Sequence, residues 1–173
     1  MSEEQKIFLG LGSNIGDRYQ NLKNGIHHLN DHPHIWVTDQ SHVYQSPALY
    51  QADQDNFYNM VVEIDTNLIP IDLLRDIKKI EIKAGRVSKN KKNMPRILDI
   101  DILAIGNMQI QSALLLIPHP GIPERKFVLR PWSDVAPKFI LADSLKTVSD
   151  LLANTTDSSE IRMVLVLDKE DMI

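Results

Sequence analysis

Apolar and polar residues alternate in three stretches of this chain, and between those stretches they recur at the spacing of a helix. Ile7, Leu9 and Leu11 alternate with Phe8, Gly10 and Gly12, which predicts a strand whose second face is almost bare. Residues 13–17 are turn and N-cap formers, and Leu22, Ile26 and Leu29 then follow at helical spacing up to the polar break at His32-Pro33. Residues 35–46 read as extended and 47–56 as a polar loop. From Phe57 to Thr66 the alternation returns, with Tyr58, Met60, Val62 and Ile64 on one face and Phe57, Asn59, Val61 and Glu63 on the other. Pro70 suits the first turn of a helix whose buried stripe is Leu73, Ile77, Ile80 and Ala84. Gly85 suits its C-terminal cap, and Lys78 and Glu81 are expected off the stripe.

A third alternating segment, 97–105, sets Leu98, Ile100 and Ile102 against Asp99 and Asp101. A short strand at 114–117, helices at 127–135 and 145–152, a polar linker at 155–160 and a last strand at 162–167 complete the expected elements. Strands interleaved with two helices and joined by short loops predict an α+β fold. The best fit is a ferredoxin-like βαββαβ core, a mixed sheet with helices packed on one of its faces. One domain is expected over 1–173, with residues 155–173 as a C-terminal extension.

Composition narrows the chemistry. The chain has 173 residues, of which 43% are hydrophobic, enough for a single core. A net charge of -4 argues against a general nucleic-acid coat, so any phosphate chemistry must use a local basic patch. There are no cysteines, which excludes disulfides, thiolate metal sites and cysteine nucleophiles. The longest apolar run, 113–118, is too short to cross a bilayer, so no signal peptide or membrane span is expected and the cytoplasm is the expected location.

The pair Asp99-x-Asp101 carries the strongest chemical signal. Two residues apart on a strand, the carboxylates share a face with Cα atoms about 7 Å apart, from a rise of roughly 3.3 Å per residue. Their hard oxygens suit magnesium, which takes one or two carboxylates and completes its shell with phosphates and water. A bare pair of this kind is more often a solvated strand face. Residues 86–96, however, hold five cations and no acid directly before it, and a polyphosphate would be drawn to both. No Gly-x-x-x-x-Gly-Lys-Ser/Thr loop is present, which excludes a P-loop kinase. Gly10-x-Gly12-Ser13-Asn14 reads either as a tight structural turn or as a place where a ligand lies against backbone. Phe57 and Asn59 offer a ring to stack on and an amide to match a heteroaromatic edge. His119, between two prolines, is either structural or a phosphate donor.

Taken in order and spacing, several motifs resemble the 6-hydroxymethyl-7,8-dihydropterin pyrophosphokinase family over most of the chain. They are Gly10-Leu11-Gly12-Ser13-Asn14, Phe57-x-Asn59, Glu81-x-x-x-Gly85-Arg86, Pro95-Arg96-x-Leu98-Asp99-x-Asp101-Ile102-Leu103, Pro118-His119-Pro120 and Glu124-Arg125-x-Phe127-Val128-Leu129. The resemblance implies transfer of diphosphate from ATP to the pterin hydroxymethyl group, with two magnesium ions held by Asp99 and Asp101. It also implies that Arg86 and Arg96 steady the phosphates, that Lys89, His119 and Arg125 line the ATP side, and that Lys78 and Glu81 shape the nucleotide site. The pterin would stack between Phe57 and Phe127, bonded by Asn59, with Ser46, Pro47 and Leu49 as wall. A monomer is expected, with no nucleic-acid or membrane partner.

Two departures stand out. Lys92-Asn93-Met94 replaces the Arg-Trp-Gly usual in the family, which predicts a less favourable loop closure, and Tyr50-Gln51-Ala52 lacks the usual glycine and proline. The competing readings are an RNA-binding ferredoxin-like module and a two-metal nucleotidyl or nuclease enzyme. The acidic charge counts against the first, and Phe57 with Asn59 is left unexplained by the second.

Overall fold

The computed structural model describes residues 6–48, 53–85 and 94–165. In chain order the elements are β1 (Ile7–Ser13), α1 (Arg18–Asn30), β2 (Ile35–Gln40), β3 (Val43–Ser46), β4 (Phe57–Thr66) and α2 (Pro70–Lys83). There follow β5 (Asp99–Ile105), β6 (Ile110–Gln111), β7 (Leu116–Ile117), α3 (Lys126–Val135), α4 (Val148–Asn154) and β8 (Arg162–Leu165). The main sheet runs β5-β1-β4-β3-β8, with β2 also paired to β4. Every pairing among the described strands is antiparallel, where the sequence suggested a mixed sheet.

Local chemistry explains the helices that cover one face. Asp17 caps α1 by accepting the Gln20 N–H at 3.0 Å, and Leu22, Gly25, Ile26 and Leu29 form its buried face. A Cβ at Gly25 would stand 3.0 Å from Leu98, so this glycine lets α1 lie close to the residue that leads into β5. Helix α2 begins on Pro70 and ends before Gly85, whose φ of 104° fits the glycine expected there. Its buried face is Leu73, Ile77, Ile80 and Glu81, so Glu81 is on the stripe rather than off it. These helices pack on Leu9, Leu11, Met60, Val62, Ile64, Ile100 and Ile102 in one apolar core.

The opposite sheet face has its own core, in which Phe8, Val61, Leu103 and Ala104 meet Leu129, Trp132 and Val148 from α3 and α4. Phe8 lies 5.2 Å from the Trp132 ring and 4.8 Å from Phe139. Helices therefore cover both faces, a correction to the one-faced arrangement read from the sequence. The third and fourth helices carry enough apolar surface to close the second face, but only at one end of it. Tyr44 on β3 donates to Asp134 of α3 at 2.8 Å, which fastens that helix in place.

Candidate active site

Gly10 and Gly12 lie on the same face of β1 as Phe8, beyond the end that α3 and α4 cover. Across β1, Gly10 faces Val61 on one side and Asp101 on the other, and Gly12 faces Asn59 and Asp99. A Cβ at Gly12 would stand 3.2 Å from Asn59 Oδ1, and one at Gly10 would stand 3.3 Å from Leu103. The two glycines thus form a floor without side chains, and a cleft of about 480 Å³ opens above it. The alternation that puts Ile100 and Ile102 into the core puts Asp99 and Asp101 on the cleft side.

Beside the floor glycines, ten residues that the sequence assigns to binding or catalysis line this cleft together. Ser46, Pro47, Phe57, Asn59 and Phe127 surround one part, and Arg96, Asp99, Asp101, His119 and Arg125 the other. Buried Asn59 donates through Nδ2 to Ser46 Oγ at 2.8 Å, which fixes the amide orientation and turns Oδ1 toward the Gly12 floor. Arg96 pairs through Nη1 with Asp99 Oδ1. His119 donates from Nδ1 to the Pro120 carbonyl at 2.7 Å, and this leaves Nε2 facing Asp101 Oδ2 at 3.9 Å. The His119 N–H in turn donates to Leu103 O at 2.8 Å, tying that loop to β5. Leu49, Arg86 and Lys89 lie outside the described residues, as do Tyr50-Gln51-Ala52 and Lys92-Asn93 of the two departures.

Lys78 and Glu81 do not line the cleft. They belong to α2, which packs behind β5. There Glu81, fully buried, accepts the Ile100 N–H at 2.7 Å and Lys78 Nζ at 3.0 Å, and Lys78 also donates to Ile100 O at 3.1 Å. Both groups of the residue between the two aspartates are thereby held from the rear. Burial raises the Glu81 pKa; Lys78 and the Ile100 N–H oppose that rise, and the Asp99 charge adds to it.

Among the described residues, no three or more His, Cys, Asp or Glu side chains converge as a metal cage. Two carboxylates on one strand face, partly exposed and bordered by cations, suit instead a magnesium ion that brings other oxygen ligands with it. Gln54 also lines the cleft and carried no expectation from the sequence; Leu103 and Val128, present there only as motif residues, and Met94, present only in a departure, line it too. Gln54 sits in a stretch without periodicity, and Leu103 lacks a polar signal. Leu103 could have been found by continuing the alternation of Asp99 and Asp101.

Comparison with known proteins gives a consistent result. A family model described as 7,8-dihydro-6-hydroxymethylpterin-pyrophosphokinase (HPPK) matches residues 8–137. A 2-amino-4-hydroxy-6-hydroxymethyldihydropteridine pyrophosphokinase of Methylorubrum extorquens is 39% identical over 153 residues, covering 88% of this chain and 95% of the relative. The folic acid synthesis protein FOL1 of Dictyostelium discoideum is 44% identical over 134 residues, covering 78% of this chain and 20% of that protein. In structure, the fold matches a Plasmodium falciparum HPPK-DHPS crystallised with pterin and p-hydroxybenzoate at a TM-score of 0.66 and 16% identity. That match covers 88% of this chain and 44% of the other. The chain therefore spans nearly all of the first relative, a fifth of the second and less than half of the solved structure.

Proposed function

The chain belongs to the 7,8-dihydro-6-hydroxymethylpterin-pyrophosphokinase family, ATP-dependent diphosphotransferases of folate synthesis, and from that premise we propose how its cleft performs the transfer. The observation that carries the reading is the convergence, over one glycine floor, of a heteroaromatic pocket and a carboxylate pair edged by arginines. The first suits a pterin and the second a magnesium-bound polyphosphate.

Phe57 and Phe127 offer faces for the pterin ring, and Asn59 its polar edge, with Ser46, Pro47 and Leu49 as wall. Because Ser46 already engages Nδ2, Asn59 Oδ1 is the atom best placed to accept a ring N–H. Arg96, Arg125 and His119 face the phosphates, a role that the family resemblance extends to Arg86 and Lys89. The hydroxymethyl oxygen attacks the β-phosphorus as the bond from that phosphorus to the oxygen shared with the α-phosphorus breaks. AMP leaves and the hydroxyl proton is lost. Asp99 and Asp101 would hold magnesium, two ions in this reading, which when bound would lower the negative charge that opposes attack. In such loose phosphoryl transfers, positioning and charge stabilisation supply the catalysis. Arg96 is already held beside Asp99, within the part of the cleft where a triphosphate would lie. Lys78 and Glu81 serve from behind, by fixing the peptide between the aspartates.

We take residues 1–173 to act as one domain and as a cytoplasmic monomer without nucleic-acid or membrane partners; no described helix is long and apolar enough to cross a membrane. Phosphorus NMR of the protein with ATP, magnesium and 6-hydroxymethyl-7,8-dihydropterin tests the reading. It should show AMP and the pterin diphosphate. ADP with a pterin monophosphate would overturn it.

A further inference from the structure

Asn14 is only 2% exposed, yet it is polar and lies at the junction of three chain segments just past β1. Its backbone N–H donates to Arg96 O at 3.0 Å, and its Oδ1 accepts the Arg96 N–H at 2.7 Å. Its Nδ2 donates to Gln54 Oε1 at 3.1 Å and reaches Asp55 O at 3.5 Å. One buried amide therefore grips, with one end, the backbone of an arginine on the phosphate side. With the other it grips the segment that leads into Phe57 and Asn59 on the ring side. Asn14 does not line the cleft, whereas Gln54 and Arg96 do. Asparagine is suited to this place because its side chain carries both an acceptor and a donor on one short stem. Leaving a buried partner unsatisfied is costly, so the three segments are held as a set.

We propose that Asn14 is a positioning residue that couples the two halves of the cleft, so that filling one half favours binding in the other. The inference rests on the reading of the cleft given above. An ATP analogue that settles Arg96 also settles, through Asn14, the loop carrying Gln54 and Asp55. By linkage, the factor by which the nucleotide raises pterin affinity equals the factor by which pterin raises nucleotide affinity.

Two variants separate the arms. Asn14→Asp keeps the acceptor for Arg96 N–H and loses the donor to the ring-side loop, and Asn14→Leu loses both side-chain arms. Pterin affinity is measured with and without a non-hydrolysable ATP analogue and magnesium, alongside kcat, each KM and the melting midpoint. Asn14→Asp is expected to raise the pterin KM about tenfold and to lower kcat much less. Asn14→Leu should lower kcat as well, by about 100-fold, the scale reached when a reacting group is displaced by about 1 Å. In both, the analogue should lose most of its effect on pterin affinity. A merely structural role would lower the midpoint and leave kcat, KM and the coupling factor unchanged, and that result overturns the proposal. If Asn14→Leu does not fold, Asn14→Asp decides alone, by its coupling factor. A parent that forms no AMP refutes the functional reading and this inference with it. An active parent with kinetically identical variants refutes this inference alone.

Discussion

Phe8 and Gly12 stand on the same face of one strand, four residues apart, and have opposite surroundings. Phe8 is sealed by Trp132 and Phe139 at ring distances of 5.2 and 4.8 Å, whereas Gly12 opens into the cleft beside Asn59 and Asp99. At the first end the chain supplies aromatic volume and two helices to cover it. At the second, α3 reaches the space only with Phe127 and Val128 of its first turn, and polar groups from β4 and β5 border what is left open. The reverse face shows no such division, because Leu9, Leu11, Ile100 and Ile102 are covered by α1 and α2 along its length. A strand face becomes a site here where side-chain volume is withheld on the central strand and the flanking strands carry polar groups at matched register.

Three substitutions sharpen that contrast. The largest effect is expected from Asp101→Ala on the open end, which should lower turnover by about 10²–10³-fold, since charge stabilisation of this kind is worth about 3–4 kcal/mol. The melting midpoint should barely move, because the side chain is partly exposed and outside both cores. Near-normal turnover would remove the carboxylates from the mechanism. Leu9→Ala, one residue before the first floor glycine but on the reverse face, should do the opposite. Deleting a fully buried leucine costs about 2–5 kcal/mol of stability by urea unfolding, with turnover per folded molecule preserved. Equal losses of stability from both substitutions would erase the distinction between the faces.

The smallest effect concerns Glu81, whose pKa burial holds above its ordinary value of 4.5. The folded state keeps a proton on this carboxyl to higher pH than the unfolded chain does. The native state therefore binds more protons between 4.5 and the raised value, and stability falls as pH climbs through that window. Glu81→Gln keeps an acceptor for the Ile100 N–H and should flatten this part of the pH profile of the melting midpoint. Parallel profiles for parent and variant would show that Glu81 titrates alike in both states.

What the sequence revealed follows from the same physics. Strand β4 appears with the bounds that its alternation marked, Phe57–Thr66, and its middle is buried on both faces. Asp99 and Asp101 share the cleft face because the period of a strand leaves no other choice. Residues 35–46 read as one extended stretch, yet they divide at Ser41. There the backbone N–H donates to Val61 O, while Oγ accepts the Val61 N–H at 2.9 Å and replaces a ladder carbonyl. Helix α4 starts at Val148 and not at 145, since Thr147 and Asp150 form a capping box and Leu145 sits at a φ of 56° outside it. That signal was in the sequence and was outweighed by the apolar spacing. Glu81 could not be placed from its charge, because besides Lys78 on its own helix it holds a backbone N–H on another element. Asn14 was visible as a motif residue, but its grip on Arg96 and Gln54 spans 82 and 40 residues of chain.

The central claim, that one end of one sheet face is where both substrates meet, is tested most directly by backbone amide NMR. The labelled protein is titrated with magnesium and a non-hydrolysable ATP analogue, and then with 6-hydroxymethyl-7,8-dihydropterin. The nucleotide should shift Arg96, Asp99, Asp101 and His119, and the pterin should shift Ser46, Phe57 and Asn59, with Gly10 and Gly12 responding to both. Leu22, Ile26, Leu73 and Ile77 on the reverse side should stay in place. Shifts centred on those helix residues, with the floor glycines unmoved, would contradict the account.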